Sequence, residues 1–243
     1  MKPFLLITSR DDDAVVLPEV ESYRQLTGLR DDEMVWHRAE QRSLSGVDPS
    51  LYSGIILAGS PFTVSVPDHL KSAAEKRVEA ELAQLLDTVV ALDSPFLGIC
   101  YGVGTLGRHQ GAVVDQQHGE KTQAILVRQT AAGKIDKLFA ELPTEFHAYV
   151  GHKEALSQVP DHIAVLATSD NCPVQAFRIG ANVYATQFHP ELDAPALVGR
   201  IRAYANHGYF DPAEMEDLIA AVQGVDVRAS HLVLGRFIEE YAR

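Results

Sequence analysis

Uninterrupted apolar runs separated by amphipathic stretches dominate the first hundred residues. "FLLITS" at 4–9 reads as a buried strand, and "SGIILAGSP" at 53–61 as another, ending in a Gly-Ser-Pro turn. "EMVWH" is a weaker strand between them. Pro18 opens a short predicted helix that Gly28 stops. Residues 67–92 carry helical spacing, with Val78, Leu82, Leu85, Leu86 and Val89 on one face. "PFLGI" is a further short buried strand, running into Cys100 and a helix closed by Gly111. The pattern then changes. "AVV", "AILVRQ", "EFHAYVGH", "IAVLATS", "VQAFRI" and "VYATQFH" read as successive strands, with "RIGANV" as a hairpin signal. From about 195 the chain is helical. Asp211, Pro212 and Glu214 form an N-cap, first-position proline and capping-box glutamate, and Gly224 closes that helix. The expectation is α/β alternation, then a β-rich middle, arranged as a domain over 1–195 with a helical C-terminal extension over 196–243 packed on it.

Composition narrows the function classes. The chain has 243 residues and a formal net charge of -12. An acidic surface disfavours nucleic acid and anionic lipid as partners. The run Arg10-Asp11-Asp12-Asp13 reads as a solvated loop after the first strand. Two cysteines make no disulfide framework, and the apolar start is too short for a signal peptide or membrane span, so a cytoplasmic location is expected.

The candidate chemistry centres on Gly98-Ile99-Cys100-Tyr101-Gly102. A strand, a nucleophile flanked by glycines and a helix form a nucleophile elbow with cysteine in the serine position. The helix N-terminus favours thiolate, and the Tyr101 amide is placed to donate to an oxyanion. A small core cysteine between packing glycines is the competing reading. Cys172, in "DNCPV", lacks that setting and reads as structural. A nucleophilic thiol needs a base and an orienter. In "YATQFHPE", His189 ends an apolar strand and Glu191 follows across a stiffening proline, so one short loop carries imidazole and carboxylate. A second oxyanion donor is the Ser60 amide, in the turn Gly59-Ser60-Pro61 at a strand end. No metal-ligand cluster is visible.

"GICYG" with "QFHPE" and the upstream Gly-x-Pro turn resembles a class I glutamine amidotransferase domain over residues 50–193, with a Cys-His-Glu triad. Order and spacing are most similar to the glutaminase domain of GMP synthase. The resemblance implies an open, largely parallel, flavodoxin-like α/β sheet flanked by helices. It implies attack of Cys100 on the side-chain amide of glutamine, a glutamyl thioester, and release of ammonia and then glutamate, a reaction that needs neither metal nor redox cofactor. It also places Gly151 and His152 of "GHKE" where backbone holds the substrate. Gly104 stands where the family has a glutamine whose amide binds substrate. Losing that side chain removes about 1 kcal/mol of hydrogen bonding and leaves space beside the nucleophile. No phosphate loop of a synthetase is visible, so acceptor chemistry would belong to a synthetase partner chain.

Three functions follow. The first is a stand-alone glutaminase-type amidotransferase. The second is a γ-glutamyl peptidase or hydrolase acting on a larger small-molecule substrate, which the space at Gly104 would suit. The third is a binding protein that kept the fold; the intact Cys100, His189 and Glu191 count against it.

Overall fold

The computed structural model describes residues 2–205 and 210–242. Its elements run β1 (Phe4–Thr8), α1 (Asp13–Thr27), β2 (Met34–Arg38), β3 (Ile55–Leu57), α2 (Ala73–Ala91), β4 (Phe96–Ile99) and α3 (Tyr101–His109). Then follow β5 (Val113–Asp115), β6 (Glu120–Gln129), β7 (Glu145–His152), β8 (Ala155–Gln158), β9 (Ala164–Thr168), β10 (Ala176–Ile179) and β11 (Val183–Thr186). Helices α4 (Ala194–Ala203), α5 (Met215–Gln223) and α6 (Arg228–Tyr241) end the chain.

Nine strands form one sheet in the order β2-β1-β3-β4-β11-β10-β9-β6-β7. The first five are mutually parallel, and the remaining pairings are antiparallel. This is a mixed, largely parallel sheet flanked by helices, as the family resemblance implied. β5 and β8 pair separately as a small antiparallel ribbon; β8 carries no clear apolar run and was not expected.

The parallel half exists because its strands are buried on both faces. β1, β3, β4 and β11 are buried at every position. One face is covered by α1 and α6, through Val16, Val20, Tyr23, Leu234 and Phe237. The other is covered by α2 and α3, through Val78, Leu82, Leu86, Val103 and Leu106. The five buried positions of α2 are the five that its helical spacing picks out. A third cluster packs α4 and α5 against Tyr149 of β7.

Helix α1 departs from expectation. It starts at Asp13, five residues before Pro18, and passes through the proline. Asp12 caps it, accepting from the Ala14 amide at 2.9 Å, and Gly28 ends it with φ 67°. The acidic run is therefore not simply a solvated loop. Asp12 and Asp13 start a helix, and Arg10 is only 4% exposed. A strong N-cap and the buried side chains Val15, Val16, Val20 and Tyr23 outweigh the one hydrogen bond the proline cannot donate.

Candidate active site

Sheet register brings four strand ends together. Ile7, Leu57, Gly98 and Ala185 lie in one row across β1, β3, β4 and β11. Beyond that row, on the carboxyl edge where open parallel sheets keep their sites, follow Arg10, Gly59, Cys100 and His189.

Cys100 joins β4 to α3 with φ 53°, a left-handed conformation rare for a residue with a side chain. Its amide donates to Thr186 O at 2.7 Å, fixing the turn to β11. The turn is closed tightly enough that a Cβ on Gly98 would lie 2.9 Å from Gly102 Cα. Cys100 stands at the start of α3, partly exposed, and its side chain and the His189 ring come together over Gly59 and border one cavity. His189 Nδ1 donates to Glu191 Oε1 at 2.7 Å, and the His189 amide donates to Tyr149 O at 2.9 Å. The structure thus brings Cys100, His189 and Glu191 into one chain of contacts.

Burial dominates the electrostatics, yet loses to pairing. Desolvation opposes charge on His189, but the Glu191 carboxylate and the cysteine outweigh it and hold the imidazolium up to about 9. Desolvation would likewise raise Glu191; the imidazolium and the Arg200 guanidinium instead lower it to about 2. Both groups carry charge across neutral pH.

Arg200, on α4, gave no sequence signal. Its Nη1 donates to Glu191 Oε1 at 3.3 Å and its Nη2 to Glu19 Oε1 at 2.7 Å. Glu19, on α1, also accepts from Arg10 Nε at 3.1 Å. Arg10 Nη1 donates to the Tyr204 hydroxyl at 2.6 Å. Two cations and two carboxylates alternate from the first strand to the triad.

The remaining expected residues divide. Gly59 sits against the nucleophile: a Cβ there would lie 2.8 Å from His189 Cε1 and 3.6 Å from Cys100 Cβ. Ser60 lines the site on both sides of Cys100, its hydroxyl accepting from the Phe62 amide at 3.0 Å. Tyr101 is the first residue of α3, beside the sulfur. Gly151 and His152 line the cleft. His152 is held by Glu120 Oε2 and Glu154 O, both at 2.9 Å.

Gly104 corrects the expectation of open space. A Cβ there would meet Glu154 Oε1 at 2.9 Å and Val64 Cγ2 at 3.3 Å. Glu154 fills the volume, and its carboxylate accepts from the Val64 and Ser65 amides at 2.8 and 2.6 Å. It props the loop after the Gly59 turn, a role that "GHKE" alone did not disclose.

A second correction concerns metal ligands. Glu120, His152 and Cys172, separated by 20 residues or more in sequence, converge with their ligand atoms within 4.8 Å of one another, all buried. Glu120 Oε2 already accepts from His152 Nε2 and from Gln175 Nε2 at 2.7 Å. Burial pushes the Cys172 thiol up to about 12, so it is a neutral packing group at neutral pH. Glu120 and His152 pair with each other and Cys172 Sγ donates to Val174 O at 3.5 Å, which fits a structural network better than an ion site.

Two cavities meet at Cys100. The first is lined by His189, Arg10, Thr122 and Tyr204 and by Leu192, Leu197, Ile201 and Phe210. The second is lined by Tyr101, Phe62, His152, Glu154 and Gln187. Cys100, Ser60 and Gly151 border both.

The family model for glutamine amidotransferase class-I matches residues 24–196. The chain is 28% identical over 189 residues to "GMP synthase (glutamine-hydrolyzing)" of Bacillus mycoides, covering 74% of this chain and 33% of that protein. It is 28% identical over 185 residues to the enzyme of the same name from Thermosipho africanus, covering 73% and 32%. The chain spans about a third of the length of these curated relatives. Its fold is similar to the crystal structure of a glutamine amidotransferase from Thermotoga maritima, with TM-score 0.79, 19% identity, and 100% and 99% of the two chains covered.

Proposed function

This chain belongs to the class I glutamine amidotransferase family, and from that premise we propose that it hydrolyses a γ-glutamyl amide, glutamine first, through a thioester on Cys100. The observation that carries the reading is the convergence of Cys100, on the elbow, with the His189 ring and the buried Glu191 carboxylate that the ring bonds. Cys100 as thiolate attacks the side-chain carbonyl carbon. The developing oxyanion meets the Ser60 and Tyr101 amides. The C–N bond breaks, and His189 gives its proton to the leaving nitrogen, which departs as ammonia. Water, deprotonated by His189, then cleaves the C–S bond and releases glutamate. Glu191 keeps the imidazole oriented and stabilises its charged form throughout.

The relatives named GMP synthase extend over about three times the matched length. Ammonia would accordingly pass to acceptor chemistry outside these 243 residues, on a synthetase.

The test is glutamate release from glutamine by the purified protein, with mass spectrometry after exposure to a diazoketone analogue of glutamine. The expected result is one adduct, on Cys100, absent in Cys100→Ser. An adduct elsewhere, or none in the native protein, rejects the assignment.

A further inference from the structure

The triad carboxylate has a second cationic neighbour. Glu191 is fully buried, and its Oε1 accepts from His189 Nδ1 at 2.7 Å and from Arg200 Nη1 at 3.3 Å. Its Oε2 is buried with no hydrogen-bond partner among the described residues. One oxygen therefore serves both donors, and Arg200 Nη1 stands 3.3 Å from His189 Nδ1 itself.

One imidazole hydrogen bond does not fix a glutamate. The torsion that turns its carboxyl group is broad, so the carboxyl plane could swing away from the ring. A second donor on the same oxygen removes that freedom. Arg200 can act so because it is itself held. Its Nη2 donates to Glu19 Oε1 at 2.7 Å, and Glu19, on α1, also takes Arg10 Nε at 3.1 Å. The Arg200 and Glu19 side chains are 12% and 1% exposed, so little water or salt screens the pair. A planar guanidinium can span two carboxylates on different elements, whereas an ammonium is a single point of charge.

Charge adds to geometry. A cation beside Nδ1 disfavours the imidazolium, while the Glu191 carboxylate favours it. A proton held too tightly is not given up to the leaving nitrogen. Arg200 offsets part of the carboxylate's pull. Among the described residues, the titratable and charged groups around Arg200 are Glu19 and Tyr23 of α1, Arg10, Tyr204, His189 and Glu191, with Cys100 across the cavity. Burial and the two carboxylates push the Tyr23 phenol well above its ordinary value, so it stays neutral where the imidazolium titrates.

Resting on the Cys100–His189–Glu191 reading, we propose that Arg200 is a positioning residue of the triad: it fixes the Glu191 carboxylate against the ring and tempers that carboxylate's hold on the imidazolium proton. It acts through Glu191 and not on the substrate.

The experiment measures glutamine hydrolysis against pH for the native protein, Arg200→Gln and Arg200→Lys, with kcat expressed per Cys100 labelled by the diazoketone. In Arg200→Gln, kcat should fall about tenfold or more while KM stays within about twofold. The alkaline limb of kcat/KM, near pH 9 in the native protein, should move up by about half a pH unit or more. Arg200→Lys keeps the charge but not the fork, so its limb should return to the native position while kcat recovers only in part. A limb that does not move in Arg200→Gln, with Cys100 still labelled, overturns the proposal and leaves the triad reading standing. A raised KM with native kcat also overturns it, because the guanidinium would then be a substrate contact. Circular dichroism reports whether each variant folds. If Arg200→Gln does not, Arg200→Lys decides: a reduced kcat per labelled site supports the proposal, and a native kcat overturns it. If native Cys100 takes no label and no glutamate is released, both readings fall together.

Discussion

At Gly59 a single hydrogen atom decides whether the site can form. His189 Cε1 occupies the space a Cβ would need, and the ring cannot retreat without losing Glu191. Gly59→Ala is expected to lower kcat at least about tenfold while the melting temperature moves little, since the strain falls on the ring and not on the sheet. The charge state of His189 gives a second prediction. With its pKa at about 9, the imidazolium beside Cys100 persists through neutral pH, so the alkaline limb of the kcat/KM profile should fall near pH 9. The same pair contributes to stability. The raised pKa of His189 contributes fully below its ordinary 6.5 and is lost as pH climbs through 9. The depressed pKa of Glu191 contributes above its ordinary 4.5 and is lost as pH drops through 2. The stability gap between the native protein and Glu191→Gln should therefore be widest between pH 4.5 and 6.5 and shrink toward pH 9, as read by urea unfolding. A gap that widened above pH 7 would show the pair to be wrongly assigned.

Among the elements, α3 and the loop at 62–65 depend on each other through Glu154. Gly104 leaves room for a carboxylate that two backbone amides hold in place. Gly104→Gln thus cannot restore the side chain found in the family; it evicts Glu154. Loss of the Val64 and Ser65 hydrogen bonds should cost about 2 kcal/mol of stability and raise KM, and Glu154→Ala should reproduce both effects. Differential scanning calorimetry and steady-state kinetics on the two variants check this. Better glutamine binding by Gly104→Gln would mean that the loop does not need its prop. Helix α2 is the contrasting case. Its buried stripe follows from spacing alone, and Leu82→Ala should cost the ordinary 2–5 kcal/mol of a buried leucine, with no selective effect on catalysis.

Across the whole molecule, the C-terminal helices are joined to the chemistry rather than appended to it. Arg200 of α4 touches Glu191, the Tyr149 hydroxyl donates to Val222 O of α5 at 2.6 Å, and His231 of α6 meets Pro190 O at 2.7 Å. Glu19, almost fully buried, pairs with Arg10 and Arg200 at once. Glu19→Gln would remove the buried carboxylate that Arg10 and Arg200 share and is expected to destabilise the fold by about 3 kcal/mol and depress kcat, because Arg200 then loses its hold on α1. Comparing unfolding midpoints with turnover separates the two effects. Among the described residues, no single helix is long and apolar enough to cross a membrane. The apolar face of α6, through Val233, Leu234 and Phe237, is instead spent on the sheet.

The sequence alone determined what local chemistry determines. Runs of apolar residues marked the parallel strands, a 3.6-residue period set the buried face of α2, and a nucleophile between glycines with a histidine–carboxylate loop made Cys100, His189 and Glu191 the candidate triad. Each signal lies within a few consecutive residues, where steric and hydrophobic constraints act directly on neighbours. Only the tertiary structure decided that Arg10 is buried, that Arg200 reaches the triad carboxylate, that Glu154 fills the space at Gly104, that Glu120, His152 and Cys172 converge, and that two cavities meet at the sulfur. Those facts join positions 50 to nearly 200 residues apart or on different elements, and they follow from which strand ends the sheet register places side by side and from how α1 and α4 pack above that edge.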